Sequence, residues 1–143
     1  MNILVLFDES KQAIKALSYV YLFLQENTKL VILYIVDIDH YADVKELAES
    51  TGIDSKVVDQ AILDLEVKVK KKLSSFLKKC EELNINTKCV FKIGKVTNEI
   101  LEEILKEKYD LLVIPIGESL KEKITHILDS IIKEYPRTIL LVK

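Results

Sequence analysis

The side chains able to do chemistry are few. The sequence has two histidines, His40 and His126, two cysteines, Cys80 and Cys89, and an acidic pair, Asp8-Glu9, that follows an apolar run and precedes Ser10. No set of His, Cys and carboxylates has the spacing of metal ligands. The cysteines fit neither a zinc nor a redox motif, so buried or half-buried thiols are expected. His126, beside Ile127 and Leu128, reads as a packed or surface histidine. Nothing marks an activated nucleophile, so no catalytic residue is assigned.

Asp8-Glu9 resembles the acidic magnesium pocket of a response-regulator receiver. That chemistry also needs a phosphorylatable aspartate at the end of a central strand. The candidate strand ends are Ile93-Gly94 and Pro115-Ile116, and only the second strand ends in an acid, Asp37. The receiver reading is set aside on that ground. A dinucleotide fold needs Gly-x-Gly-x-x-Gly after the first strand, where this sequence has Asp8-Glu9-Ser10-Lys11. A P-loop needs a glycine-rich turn ending in Lys-Ser or Lys-Thr, and none is present.

The elements that must position these residues follow from periodicity. Five short runs rich in β-formers, Asn2–Phe7, Lys29–Ile38, Asn86–Ile93, Asp110–Ile116 and Thr138–Val142, alternate with helical segments. The first, second and fourth are nearly continuous in apolar character, as expected of strands covered on both faces. Asn86–Ile93 alternates and carries lysines, which suits an edge. Ser10 is the expected N-cap of a first helix through about Gln25, with Ile14, Leu17, Tyr21 and Leu24 at helical spacing. Tyr19, Tyr21 and Phe23 read as core and rim. His40–Gly52 reads as a linker with a helical turn from Asp43 to Glu49.

The longest helix spans Asp54 to about Leu83. Its stripe is Val58, Ala61, Ile62, Leu65, Val69, Leu73, Phe76 and Cys80, and Lys70–Lys72 lie on its wet face. A further helix, about Thr97 to Lys108, buries Ile100, Leu101, Ile104 and Leu105. Ser119 opens the last helix through a capping box, Ser119-Leu120-Lys121-Glu122, whose serine and glutamate satisfy each other's N–H groups.

This order predicts one α/β domain over residues 1–143: a five-stranded parallel sheet of order 3-2-1-4-5 with helices on both faces. Ligands of such sheets sit beyond the strand carboxyl ends where the order reverses. That places any pocket between Asp8–Ser10 and Ile116–Ser119.

Length and composition suit one folded domain: 143 residues, 49% hydrophobic and 31% charged. A net charge of −2 argues against a nucleic-acid partner. The longest apolar run, Leu30–Val36, is too short to span a membrane, and a cytoplasmic protein is expected.

Five segments in order resemble the universal stress protein family. They are Ile3-Leu4-Val5-Leu6-Phe7-Asp8-Glu9-Ser10, where the family has a strand followed by Asp-Gly-Ser; Leu33-Tyr34-Ile35-Val36-Asp37; Gly94 with Glu99-Ile100-Leu101; Tyr109-Asp110-Leu111-Leu112-Val113-Ile114; and Tyr135 through Val142. The resemblance implies an adenine nucleotide alpha hydrolase-like fold, a homodimer paired through Thr138–Lys143, and a role in stress tolerance or regulation. An apolar edge strand left open would favour such pairing.

ATP-binding members of the family carry Gly, two residues, Gly, nine residues, then Gly-Ser or Gly-Thr after the fourth strand. Those glycines let backbone N–H groups converge on phosphates. This sequence has three glycines, Gly52, Gly94 and Gly117, and only the last follows the fourth strand. Anchored on Asp110, Pro115 and Glu118 fall at the first two glycine positions. Anchored on Pro136, Thr125-His126 fall at the Gly-Ser.

No cofactor is therefore expected, and the function expected is a non-enzymatic module working through dimerisation or a protein partner. The alternative is a nucleotide-binding member with a divergent loop, taking ATP with magnesium and hydrolysing it weakly. The resemblance then makes Asp8 and Val36 nucleoside contacts, with Gly117 and Ser119 on the phosphate side. A third reading is an unrelated flavodoxin-like domain.

Overall fold

Asn2–Leu6 forms β1, and its four apolar residues are buried because neighbours cover both faces and both edges. A computed structural model describes residues 1–117, 124–135 and 137–143. Its sheet has the order β3-β2-β1-β4-β5, every pairing parallel, with β2 at Lys29–Asp37, β3 at Asn86–Gly94, β4 at Leu111–Pro115 and β5 at Thr138–Val142. This is the order expected from the sequence, with β3 and β5 on the edges.

Alternation along the central strands splits the core in two. Ile3, Val5, Phe7, Leu30, Ile32 and Val113 face one helical layer, α1 at Lys11–Phe23 and α3 at Ser55–Glu82. Leu4, Leu6, Val31, Leu33, Leu112 and Ile114 face the other, α4 at Val96–Lys106 and α5 at Ile124–Glu134. A strand with apolar neighbours above and below cannot spare a polar residue, which is why these runs read as continuous.

The helices correct several expectations. In α1 the buried stripe is Ala13, Ala16, Leu17 and Val20, while Ile14 and Tyr21 are exposed. The Ser10 side chain accepts from the Ala13 N–H at 3.0 Å and fixes where the helix starts. The two alanines then let α1 lie close against the sheet, a choice that the size of Ile14 and Tyr21 conceals. Tyr19 and Phe23 are exposed as well, so those aromatics are not core.

His40–Gly52 is no linker. Asp37 accepts from the Asp39 N–H at 2.9 Å and caps a 13-residue helix, α2, at Ile38–Ser50. Of the stripe expected on α3, Val58, Val69, Leu73 and Cys80 are buried, whereas Ala61 is exposed. At 28 residues, α3 is about 42 Å long. Its second half packs on the sheet, and its first half meets α2. In α4, Ile100 and Ile104 are buried but Leu105 is exposed.

A carboxylate takes a place on the inner face of α4. Glu103 is buried and accepts from the Tyr109 hydroxyl at 2.8 Å. The Tyr135 hydroxyl donates to the Tyr109 carbonyl at 3.0 Å, so the apolar layer carries a satisfied polar network. At the amino end of the sheet, Asp110 accepts from the Asn2 N–H at 2.7 Å and pairs with Arg137 at 2.9 Å, joining the starts of β1, β4 and β5.

Among the described residues, no helix is long and apolar enough to cross a membrane. The expected opening of the last helix at Ser119, with its capping box, lies outside the described residues, as does Pro136.

Candidate functional site

The point where strand order reverses lies between β1 and β4, and two loops meet there. After β1 the chain turns through Asp8, Glu9 and Ser10. Asp8 Oδ1 accepts from both the backbone N–H of Ser10, at 3.1 Å, and its hydroxyl, so the aspartate holds the turn while Ser10 caps α1. Asp8 Oδ2 is buried and has no hydrogen-bond partner among the described residues. An unpaired buried acceptor is costly, and it marks a place in this crevice where a donor would be welcomed.

Gly117 completes the approach. A Cβ built on it would lie 3.0 Å from Ser10 Cβ, 3.1 Å from Ser10 Oγ and 3.5 Å from Asp8 Oδ2. The glycine after β4 therefore serves the packing of two loops against each other.

Glu9 has φ of 63°, the left-handed region that favours glycine, and its carboxylate is tied down on both sides. Oε1 pairs with Lys72 of α3 at 2.7 Å and Oε2 accepts from the Tyr34 hydroxyl at 3.3 Å. Tyr34 stacks on Phe91, with ring centroids 5.0 Å apart. Burial first, then the charge of Glu9, pushes the Tyr34 phenol up to about 12.

The left-handed turn gives a direct check. A non-glycine residue there carries about 1–2 kcal/mol of strain. Glu9→Ala keeps the strain and loses both side-chain contacts, whereas Glu9→Gly loses the contacts and relieves the strain. In urea denaturation the glycine variant is expected to be the more stable by about 1 kcal/mol. Equal stabilities would mean that the turn is not left-handed in solution.

Of the residues singled out from sequence, Asp8, Ser10 and Gly117 come together. Val36 is nearly buried at the end of β2 and lines a different feature, an apolar groove between α2 and α3. Ser119 lies outside the described residues. Asp37, the strand-ending acid, is the N-cap of α2. His40 and His126 are exposed. Burial pushes the thiols of Cys80 and Cys89 up, away from the reactive thiolate. Among the described residues no group of three His, Cys, Asp or Glu is placed to hold a metal ion.

The groove was missed from sequence, although its signal is present. Asp37 is a good cap, and Tyr41, Val44 and Ala48 follow at helical spacing. The Lys72–Glu9 pair, 63 positions apart, leaves no sequence signal.

Comparison with known proteins agrees with this architecture. No curated protein matches the chain by sequence. Among solved structures, the hypothetical protein MJ0577 matches with a TM-score of 0.74 at 21% identity, over 99% of this chain and 94% of that one. A universal stress protein family member from Burkholderia pseudomallei matches with a TM-score of 0.62 at 15% identity, over 99% and 94%. Another, from Arabidopsis thaliana and solved with AMP bound, gives 0.58 at 12% identity, over 100% and 90%. At these identities the likeness is one of fold. The sequence model of the universal stress protein family matches residues 1–143, so the protein belongs to the universal stress protein family.

Proposed function

We propose that the chain is a non-enzymatic universal stress protein module, cytoplasmic and homodimeric, that does not hold ATP in the manner of the family's nucleotide-binding members. The observation that carries this reading is the lone glycine after β4. Gly117 is committed to loop packing against Ser10 and Asp8. Pro115, which falls at a family glycine when the segments are anchored on Asp110, has no N–H to offer a phosphate.

The crevice fits the two ends of a nucleotide unequally. Asp8 Oδ2, buried without a donor, suits a ribose hydroxyl or an adenine amino group. At the phosphate end the sequence offers one glycine, Gly117, where the family's ATP-binding members have three. The residues therefore fit a nucleoside and not a triphosphate. A second reading, a nucleotide-binding member with a divergent loop, draws on the Asp8 oxygen and on the AMP bound to the Arabidopsis neighbour.

For the dimer, the support is the open edge of β5, where Leu141 is exposed and Ile139 and Leu140 are half-buried.

Protein purified without nucleotide and without refolding, then acid-extracted and chromatographed, separates the two readings. The proposal expects no adenine nucleotide in the extract beyond a trace. One nucleotide per chain would overturn it.

A further inference from the structure

We propose that the groove between α2 and the first half of α3 is the docking site for a cationic amphipathic helix of a partner protein. This rests on, and deepens, the reading of the chain as a module that works through a partner. The nucleotide extraction probes the β1–β4 crevice instead, so the two ideas can fail separately.

The groove has a volume of about 740 Å³, and its walls include Val36, Leu47, Ile53, Val57, Ala61 and Leu65. Two of its polar side chains, Thr51 and Tyr41, are already occupied, and the third, His40, is exposed. The Thr51 hydroxyl bonds the Leu47 and Ala48 carbonyls at 2.9 and 3.1 Å, and the Tyr41 hydroxyl donates to Asp59. Few polar handles remain to select a small polar ligand. Lys45 of α2 pairs with Asp59 of α3 at 3.1 Å, bracing the two helices across the groove.

The apolar surface continues outward: Leu47 is 64% exposed and Val57 58%. It runs along α2, about 20 Å for 13 residues, which is the length of a three- to four-turn helix. Burying such residues against apolar anchors spaced i, i+3, i+4 and i+7 is how a groove reads a helix.

Charge selects the sign of the partner. Between Ile38 and Lys68 the sequence has eight acidic residues and three lysines, a net of −5 against −2 for the whole chain. Asp39, Asp43, Glu46, Glu49, Asp54 and Asp64, which lie on α2, the first half of α3 or the turn joining them, are exposed. Such a charge attracts lysine- and arginine-bearing helices and speeds their encounter, and it repels nucleic acid, anionic membranes and fatty-acid carboxylates.

The test titrates the full chain into a fluorescent amphipathic peptide of about 14 residues, built from Leu and Lys with leucines on one helical face. Anisotropy is expected to show saturable one-to-one binding that weakens as salt is raised from about 0.05 M to about 0.5 M. Leu47→Ser and Val57→Ser, both at exposed positions, are each expected to weaken binding about tenfold while the circular dichroism is unchanged. A scrambled peptide of the same composition is expected to bind at least about tenfold more weakly.

Absence of saturable binding overturns the proposal. So does equal binding of the scrambled peptide, or indifference to both serine variants, since either reduces the contact to charge alone. A neutral long-chain alcohol that binds the wild type in a Leu47-dependent way, where the peptide does not, would assign the groove to an aliphatic ligand instead.

Discussion

Leu141→Pro is expected to turn a dimer into a folded monomer. The reason lies in which backbone groups of β5 are already used. The Val142 carbonyl accepts from the Ile116 N–H at 2.7 Å, so the backbone groups of Val142 face β4. Alternation gives Leu140 and Thr138 the same side and turns those of Ile139 and Leu141 to the open edge.

Proline at 141 removes an outward donor and puts a ring where a neighbouring strand would lie, while the bonds to β4 survive. Its side chain is part-exposed already, so the core loses little. In a two-fold pair the change occurs twice. Even one such disruption, at about 3 kcal/mol, raises the dissociation constant about a hundredfold.

Light scattering across a concentration series checks the result, with circular dichroism confirming the fold. Leu140→Pro is the informative contrast. It breaks the bonds to β4 and is expected to lower stability as well. A Leu141→Pro protein with the mass of the unmodified chain would remove β5 from the interface. A monomeric unmodified chain at high concentration would remove the dimer altogether.

How much of this was legible beforehand depends on the range of the interactions. Strand order could be read because β1, β2 and β4 are apolar on both faces and the lysine-bearing Asn86–Ile93 is not. Ser10 was legible as a cap, since capping is a matter of three residues. The phase of α1 was not. Ala13 and Ala16 are buried because they are small, and a reading by hydrophobicity prefers Ile14 and Tyr21. Glu103 shows the converse, a charged residue on an inner face whose partner, Tyr109, lies beyond the end of its helix.

In the crevice, Asp8 and Gly117 were placed by the rule that ligands gather where strand order reverses. The lack of a partner for Asp8 Oδ2 among the described residues and the clamp of Lys72 on Glu9 leave no trace in sequence, because both depend on residues distant along the chain. The α2–α3 groove escaped for another reason. Its apolar residues line a space that the chain does not fill, so helical spacing assigns them to a core that is absent.

The central claim is one of composition: a single glycine, Gly117, follows β4, where the family's ATP-binding members have three to bare the backbone to phosphates. Isothermal calorimetry of the purified chain with ATP and magnesium addresses that claim, with adenosine titrated in parallel to report on the Asp8 end alone. The expected result is no saturable heat from ATP up to millimolar concentration and no gain of ATP over adenosine. Dissociation of ATP at low micromolar concentration, far tighter than adenosine, would mean that the loop cradles phosphates after all.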